Sequence, residues 1–367
     1  MSTTVEPIKP LRYSHTIGKD FSKILNKRVR AYFKENNITK YANSSMVVKT
    51  IFMILLYLVP FALIMFGAIT STWGIFAMFL VMGVGMAGIG LSIMHDANHG
   101  AYSKNDNVNK WLGRVINLVG GYALNWKIQH NVLHHTYTNV HEYDEDISTI
   151  GLLRFTPDDP RKPVHRFQHL YAWFFYGLMT VMWMTTKDFQ QLKRYKKKDL
   201  LKTFNTTYKK NITILIISKI IYYSIFIVLP MIFLPIPWYL VLVFVLAMHY
   251  VAGFILAIVF QPAHVIPETE FVKATDDFTI ENNFFIHQME TTCNFAPDNK
   301  ILSWFVGGLN YQVEHHLFPT ICHVHYKKLS KIVKATAEEF GVPYNSHKTF
   351  SKAIMYHTQM LKDLGRA

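Results

Sequence analysis

Three histidine-rich runs carry donors at spacings suited to metal chemistry: His95 and His99 in His-Asp-Ala-Asn-His, His130, His134 and His135 in His-Asn-Val-Leu-His-His, and His315 and His316 after Gln312-Val-Glu. On a helix, positions four apart share a face about 6 Å apart along the axis. His95 with His99, and His130 with His134, are therefore each spaced to grip one metal. Adjacent positions are turned by roughly 100°, which points His135 and His316 away from His134 and His315, toward a second ion. A structural zinc is saturated by about four ligands, whereas these runs offer seven imidazoles, eight if His264 in Gln-Pro-Ala-His joins them. The surplus predicts a two-metal centre. Imidazole suits iron, zinc and copper alike, so ligand type alone names no metal. Asp96 and Asn131 sit inside the runs and are placed to accept the ring N–H of a ligating histidine, as are Asn98 and Glu314. The acidic run at 144–146 reads equally well as such a partner or as a solvated loop.

Two pairs of helices must deliver these runs. Residues 47–69, 72–93, 212–233 and 238–260 are each 22 or 23 residues long and mostly apolar, enough to cross a bilayer. Only a few residues separate the members of each pair, which makes two hairpins. Of the 38 Lys and Arg, ten precede residue 50, seventeen lie between 94 and 211, ten follow 260 and Lys219 is inside the third span; the hairpin tips have none. By the positive-inside rule both termini and the central segment face the cytoplasm, with every histidine run on one side. The expected fold is an all-α integral membrane protein: four transmembrane helices in two hairpins, with a cytoplasmic helical cap holding a di-metal site. Its parts are an N-terminal segment (1–46), the first hairpin (47–93), a cap with the first two runs (94–211), the second hairpin (212–260) and a tail with the third (261–367).

The span bias accounts for the net charge of +14 without nucleic acid. Residues 1–46 have no apolar core of the kind a cleavable signal carries, so the first span is expected to direct insertion itself. Cys293 and Cys322 are too few for a disulfide framework. A fifth apolar stretch, 170–186, is at the short limit for a span. Crossing there would separate the third run from the others, so it is assigned to the membrane interface, as are 111–126 and 301–309. Gly83, Gly85, Gly88 and Gly90 let helices approach closely and place the second span at the centre of the bundle. His15, His165, His169, His323, His325, His347 and His357 are read as surface or hydrogen-bonded side chains. His249, about 22 Å deeper than His264 on a continuous helix, is expected to bond a neighbouring helix. Lys219 is expected to snorkel or meet a polar neighbour.

Together the runs resemble the three histidine boxes of the membrane fatty acid desaturases, over roughly residues 45–345 and including hairpin order and box spacing. A third box opening with Gln312 in Gln-Val-Glu-His-His-Leu-Phe-Pro is similar to that of the front-end subgroup, which acts between an existing double bond and the carboxyl end. The resemblance implies two non-haem iron ions held by His95, His99, His130, His134, His135, His264, His315 and His316, with O2 as co-substrate. It implies Gln312 as a further ligand, a water holder or a positioning group. Side-chain acid–base groups cannot break an unactivated C–H bond, so a metal must supply the oxidant while the protein supplies shape.

Many front-end relatives carry a fused cytochrome b5 domain with a His-Pro-Gly-Gly motif. That motif is missing here, so no bound haem is expected and electrons should come from a separate cytochrome b5 or ferredoxin with its reductase. The basic run 193–198, with Arg161, Lys162 and Arg166, is placed to attract an acidic donor or the phosphates of an acyl-CoA or acyl-lipid substrate, or simply faces anionic membrane lipid. A histidine-box hydroxylase would use the same centre. A zinc peptidase lacks its His-Glu-x-x-His base, and a metal transporter would carry polar ligands near the midplane.

Overall fold

The computed structural model describes residues 9–14, 17–149 and 151–367; His15 lies outside these. Its first helix, α1 (Lys19–Glu35), lays Phe21, Leu25 and Val29 against a C-terminal helix, and α2 (Ser44–Met65) then begins where the Asn43 side chain accepts the Met46 N–H. Four rods are long and apolar enough to cross a membrane: α2, α3 (Thr72–Asn98), α8 (Tyr208–Phe233) and α9 (Trp238–His264). Between α3 and α8 come α4 (Asp106–Gly113), α5 (residues 123–134), α6 (Gln168–Gly177) and α7 (Asp188–Lys197). After α9 come α10 (Phe284–Thr291), α11 (Gln312–Leu317), α12 (Tyr326–Phe340) and α13 (Phe350–Leu364).

Both hairpins are present, and two of their rods outrun the apolar stretches. Apolarity stops at Ile93 and Phe260, but the hydrogen-bonded rods continue to Asn98 and His264. The helices that cross the apolar layer thus carry His95 and His264 themselves. The second rod is the central one, with 61% of its apolar window buried against 22–50% for the other three. Glycine permits this: a Cβ at Gly83 would lie 2.5 Å from the Met248 carbonyl of α9, and one at Gly85 would lie 2.8 Å from the α2 backbone.

The stretch 170–186 forms no continuous rod. It breaks after Gly177 into α6, a four-residue helix Met179–Met182 and a π turn at Trp183–Lys187, all against α9. Lys219 is not solvated. Its ammonium meets the Asp188 carboxylate at 2.7 Å and the carbonyls of Gly120 (2.7 Å) and Trp183 (2.6 Å), so the one charge within the apolar stretch 212–233 is buried and fully bonded. His249 bonds neighbouring elements as expected, meeting the Tyr222 hydroxyl at 2.6 Å and Thr180 Oγ1 at 3.2 Å.

Candidate metal centre

Four elements converge on one buried volume. The last turn of α3 brings His95 and His99, α5 brings His130 and His134 with His135 next to it, the C-terminus of α9 brings His264, and α11 brings His315 and His316. The loop before α11 is pressed onto α3 at Gly307, whose φ is +62°. A Cβ there would lie 2.3 Å from the Leu91 carbonyl, so only glycine lets the third run close against the first.

The side chains sort into overlapping groups, each with ligand atoms within 4.8 Å of one another: His95, His99, His130 and His315; His134, His264 and His316; and His135, His315 and His316 between them. The third-run doublet sends His315 to the first group and His316 to the second, and His135 lies within reach of both. The second run departs from α-helical expectation, because α5 is π-helical over Lys127–His134 and His135 N–H bonds to the His130 carbonyl five residues back, at 2.9 Å. That wider turn swings His135 onto His130, with Nε2 atoms 3.2 Å apart, while His134, still stacked beside His130 at 5.4 Å, also reaches His264 and His316. π turns of this kind cluster at functional sites, and of the other three among the described residues, the one at Ile89–Ile93 directly precedes His95.

The nitrogens are at ligand spacing. Atoms about 2.1 Å from one ion are separated by roughly 3.0–3.5 Å at square or tetrahedral angles. Here His130 Nε2 lies 3.2 Å from both His95 Nε2 and His135 Nε2, and the His135 and His315 Nε2 atoms are closer still, at 2.8 Å. His134, His264 and His316 have buried Nε2 atoms without a hydrogen-bond partner, while each Nδ1 is engaged outward. Asp144 accepts from His134 at 3.0 Å, the Thr291 carbonyl accepts from His264 at 3.1 Å, and Gln288 Oε1 accepts from His316 at 2.8 Å. Fixing Nδ1 as the donor leaves Nε2 free for a metal, so this donor set fits one.

Electrostatics set His134 apart from its neighbours. Burial, reinforced by neighbouring imidazoles, pushes His130, His135, His315 and His316 well below the usual histidine range and keeps them neutral. Burial also opposes charge on His134, but Asp144 and Asp146 outweigh it and raise the group to about 9. Burial lifts Glu314 to about 7 against hydrogen bonds from Asn294 and Tyr344, so it braces α11 rather than reaching a histidine ring.

Asp96 Oδ1 is 3.6 Å from His95 Nδ1, and its Oδ2 accepts from His323 Nδ1 at 2.8 Å, whose Nε2 in turn accepts from Lys49 at 2.7 Å. His323 thus joins the edge of the site, which its lone position in the sequence did not signal. Asn131 donates to the Asn98 carbonyl at 2.9 Å and makes no hydrogen bond to a histidine of the cluster. Gln312 is fully buried, with neither amide atom partnered. Gln288, Thr291 and Tyr326, whose hydroxyl meets His315 Nδ1 at 3.1 Å, were beyond sequence reasoning, because they are polar side chains or carbonyls far along the chain with no motif of their own.

A family model for fatty acid desaturases matches residues 71–348. The chain belongs to the fatty acid desaturase family. This desaturase is 34% identical to an sn-1 linoleoyl-lipid 6-desaturase of Synechocystis over 97% of its own length and 98% of the relative's. It is 35% identical to the Arthrospira platensis protein of the same name, over 95% and 94%. Against an acyl-lipid (8-3)-desaturase of Physcomitrium patens it is 32% identical over 97% of this chain and 74% of the relative. It is an oxidoreductase that introduces double bonds, and the hydroxylase alternative is not favoured. Beside the histidines the desaturase has a cavity of about 180 Å³. Met94, Trp126, Phe155, Leu256 and Phe260 give it an apolar wall, and His130, His134 and His264 complete the lining together with Gln129, Glu145, Asp146 and Lys187.

Proposed function

We propose that the chain is an O2-dependent di-iron desaturase that places a cis double bond in the acyl chain of a membrane lipid, on the carboxyl side of an existing double bond. The observation that carries this reading is the pairing of two imidazole groups, with free Nε2 atoms in one and an N–N spacing of 3.2 Å in the other, with a cavity whose apolar wall of Met94, Trp126, Leu256 and Phe260 reaches His130, His134 and His264. His95, His99, His130 and His315 would hold one iron, and His134, His264 and His316 the other, with His135 between them. When bound, the pair of irons supplies the oxidising power that side chains lack. The chain's own residues then do the rest. Trp126 and Phe260 hold the methylenes against the histidines, and Asp144, Gln288 and the Thr291 carbonyl fix the ring orientations.

The carboxyl-side position is supported by the 6-desaturase names of the two cyanobacterial relatives, whose linoleoyl-lipid substrate carries its double bonds further from the carboxyl group. Lys and Arg asymmetry supports an active site and termini on the cytoplasmic face. Electrons would come from a separate cytochrome b5 or ferredoxin. The test is mass-spectrometric location of new double bonds in the lipids of a host expressing the chain with its donor, against His134→Ala. A new bond nearer the carboxyl end than the existing one, absent from the variant, is expected; a new hydroxyl, or the same product from the variant, would overturn the reading.

A further inference from the structure

The cluster can be approached from two sides. Seven of the eight histidines are buried, and His99 alone is partly exposed, with its Nε2 still buried. It lines a cavity of about 650 Å³ separate from the apolar one. Around this second cavity stand Lys110, Arg114, Lys127 and Lys210, against a single carboxylate, Asp106. Among the described residues none of the four cations has an ion pair or a hydrogen bond through its charged group; Arg114 only stacks on Trp111, at 5.4 Å. Burial, and then Arg114 and Lys110, push the Lys127 ammonium down, so these cations repel one another across the cavity.

Helix α5 divides the two approaches. Leu124 and Lys127 face the cationic cavity, whereas Trp126, Gln129 and His130 face the apolar one. An acyl chain can therefore occupy its cavity while the cationic side stays open. The chemistry requires that. Converting CH2–CH2 to CH=CH while reducing O2 to two waters consumes four electrons: two leave with the C–H hydrogens, and two must arrive from outside together with two protons.

We propose that the surface formed by Lys110, Arg114, Lys127 and Lys210 is the docking face for an acidic one-electron carrier protein, which delivers those two electrons singly through His99. The inference rests on the desaturase reading above. His99 suits the role because its ring centroid is 4.8 Å from that of His95, 5.1 Å from His130, 4.7 Å from His135 and 5.0 Å from His315, so it spans the distance from the cavity to the centre. A convergent set of unpaired cations raises the encounter rate of an acidic partner and orients it. Of the other basic groups, residues 193–198 are partly committed, with Arg194 bidentate to Glu145 at 2.7 and 2.8 Å and Lys196 over the Tyr208 ring, and Arg161, Arg166 and Arg366 line a pocket that no histidine of the cluster touches.

The test measures binding of an acidic [2Fe–2S] ferredoxin and of a soluble cytochrome b5 domain to the purified full-length protein in nanodiscs, as a function of salt. The Lys110→Glu/Arg114→Glu/Lys127→Glu variant is compared with Lys193→Glu/Lys196→Glu/Lys197→Glu, and metal content and thermal melting establish that both are folded. The first variant should weaken donor binding at least about tenfold, flatten its salt dependence and raise the donor KM while leaving the acyl-substrate KM alone. The second should leave donor binding unchanged. Equal losses in both variants, loss only in the second, or no binding of either donor to the wild type would overturn the proposal. So would a first variant that loses affinity only for phosphatidylglycerol vesicles, since the cavity would then be a lipid headgroup site. Binding is read without turnover, so failure to find a new double bond would count against the desaturase reading and not against the docking face.

Discussion

His130 and His135 are five residues apart and hold their Nε2 atoms 3.2 Å from each other, because the chain between them makes a π turn closed by the His135 N–H on the His130 carbonyl. An α-helix would have aligned His130 with His134 instead. The extra residue in the turn lets one short run serve both halves of the centre: His130 faces His95, His99 and His315, while His134 faces His264 and His316.

Asp144 is expected to matter almost as much as the histidine it holds. It accepts from His134 Nδ1 and from the Asn139 N–H, and the Asn139 side chain bonds the His264 carbonyl. Asp144→Ala should lower metal affinity by about 10–100-fold at the His134, His264 and His316 group, with little change in helix content. Chelator competition on the purified variant checks this, and unchanged affinity would remove Asp144 from the account.

Gln312 buries an amide with no partner for either polar atom. Each such atom costs roughly 1–3 kcal/mol, so Gln312→Leu should leave the metal-free chain as stable as the wild type or more so. Turnover should nevertheless fall about tenfold or more. Thermal melting of the metal-free protein and product formation are measured together; a variant that melts lower and turns over normally would make Gln312 a packing residue.

Lys219 and Asp188 form a buried ion pair away from the histidines, with both side chains less than 5% exposed. Removing one partner strands the other, so Lys219→Met should destabilise the protein by about 3–5 kcal/mol. Lys219→Met/Asp188→Asn should recover much of that loss, with metal content unchanged throughout. Unfolding in detergent reads the result, and equal melting of all three proteins would contradict it.

The hairpins and the histidine set were legible in the sequence because apolar length and ligand identity are local properties. Rod ends were less so: composition changes at Ile93 and Phe260, but backbone hydrogen bonding carries on to Asn98 and His264. The π turn of α5 was illegible, since the spacing of His130, His134 and His135 fits an α-helix equally well and only packing selects the wider turn. Asp144 was one of two readings of an acidic run. His323 looked solitary until folding brought Asp96 and Lys49 to its two ring nitrogens.

The central claim is that these histidines hold two irons in separable groups, and the most direct measurement is the metal content of the purified protein by mass spectrometry, for the wild type, His99→Ala and His264→Ala. The expected result is about two iron ions per chain in the wild type and about one in each variant, with the new double bond lost from both. Zinc in place of iron, or variants that keep the full complement of metal, would contradict it.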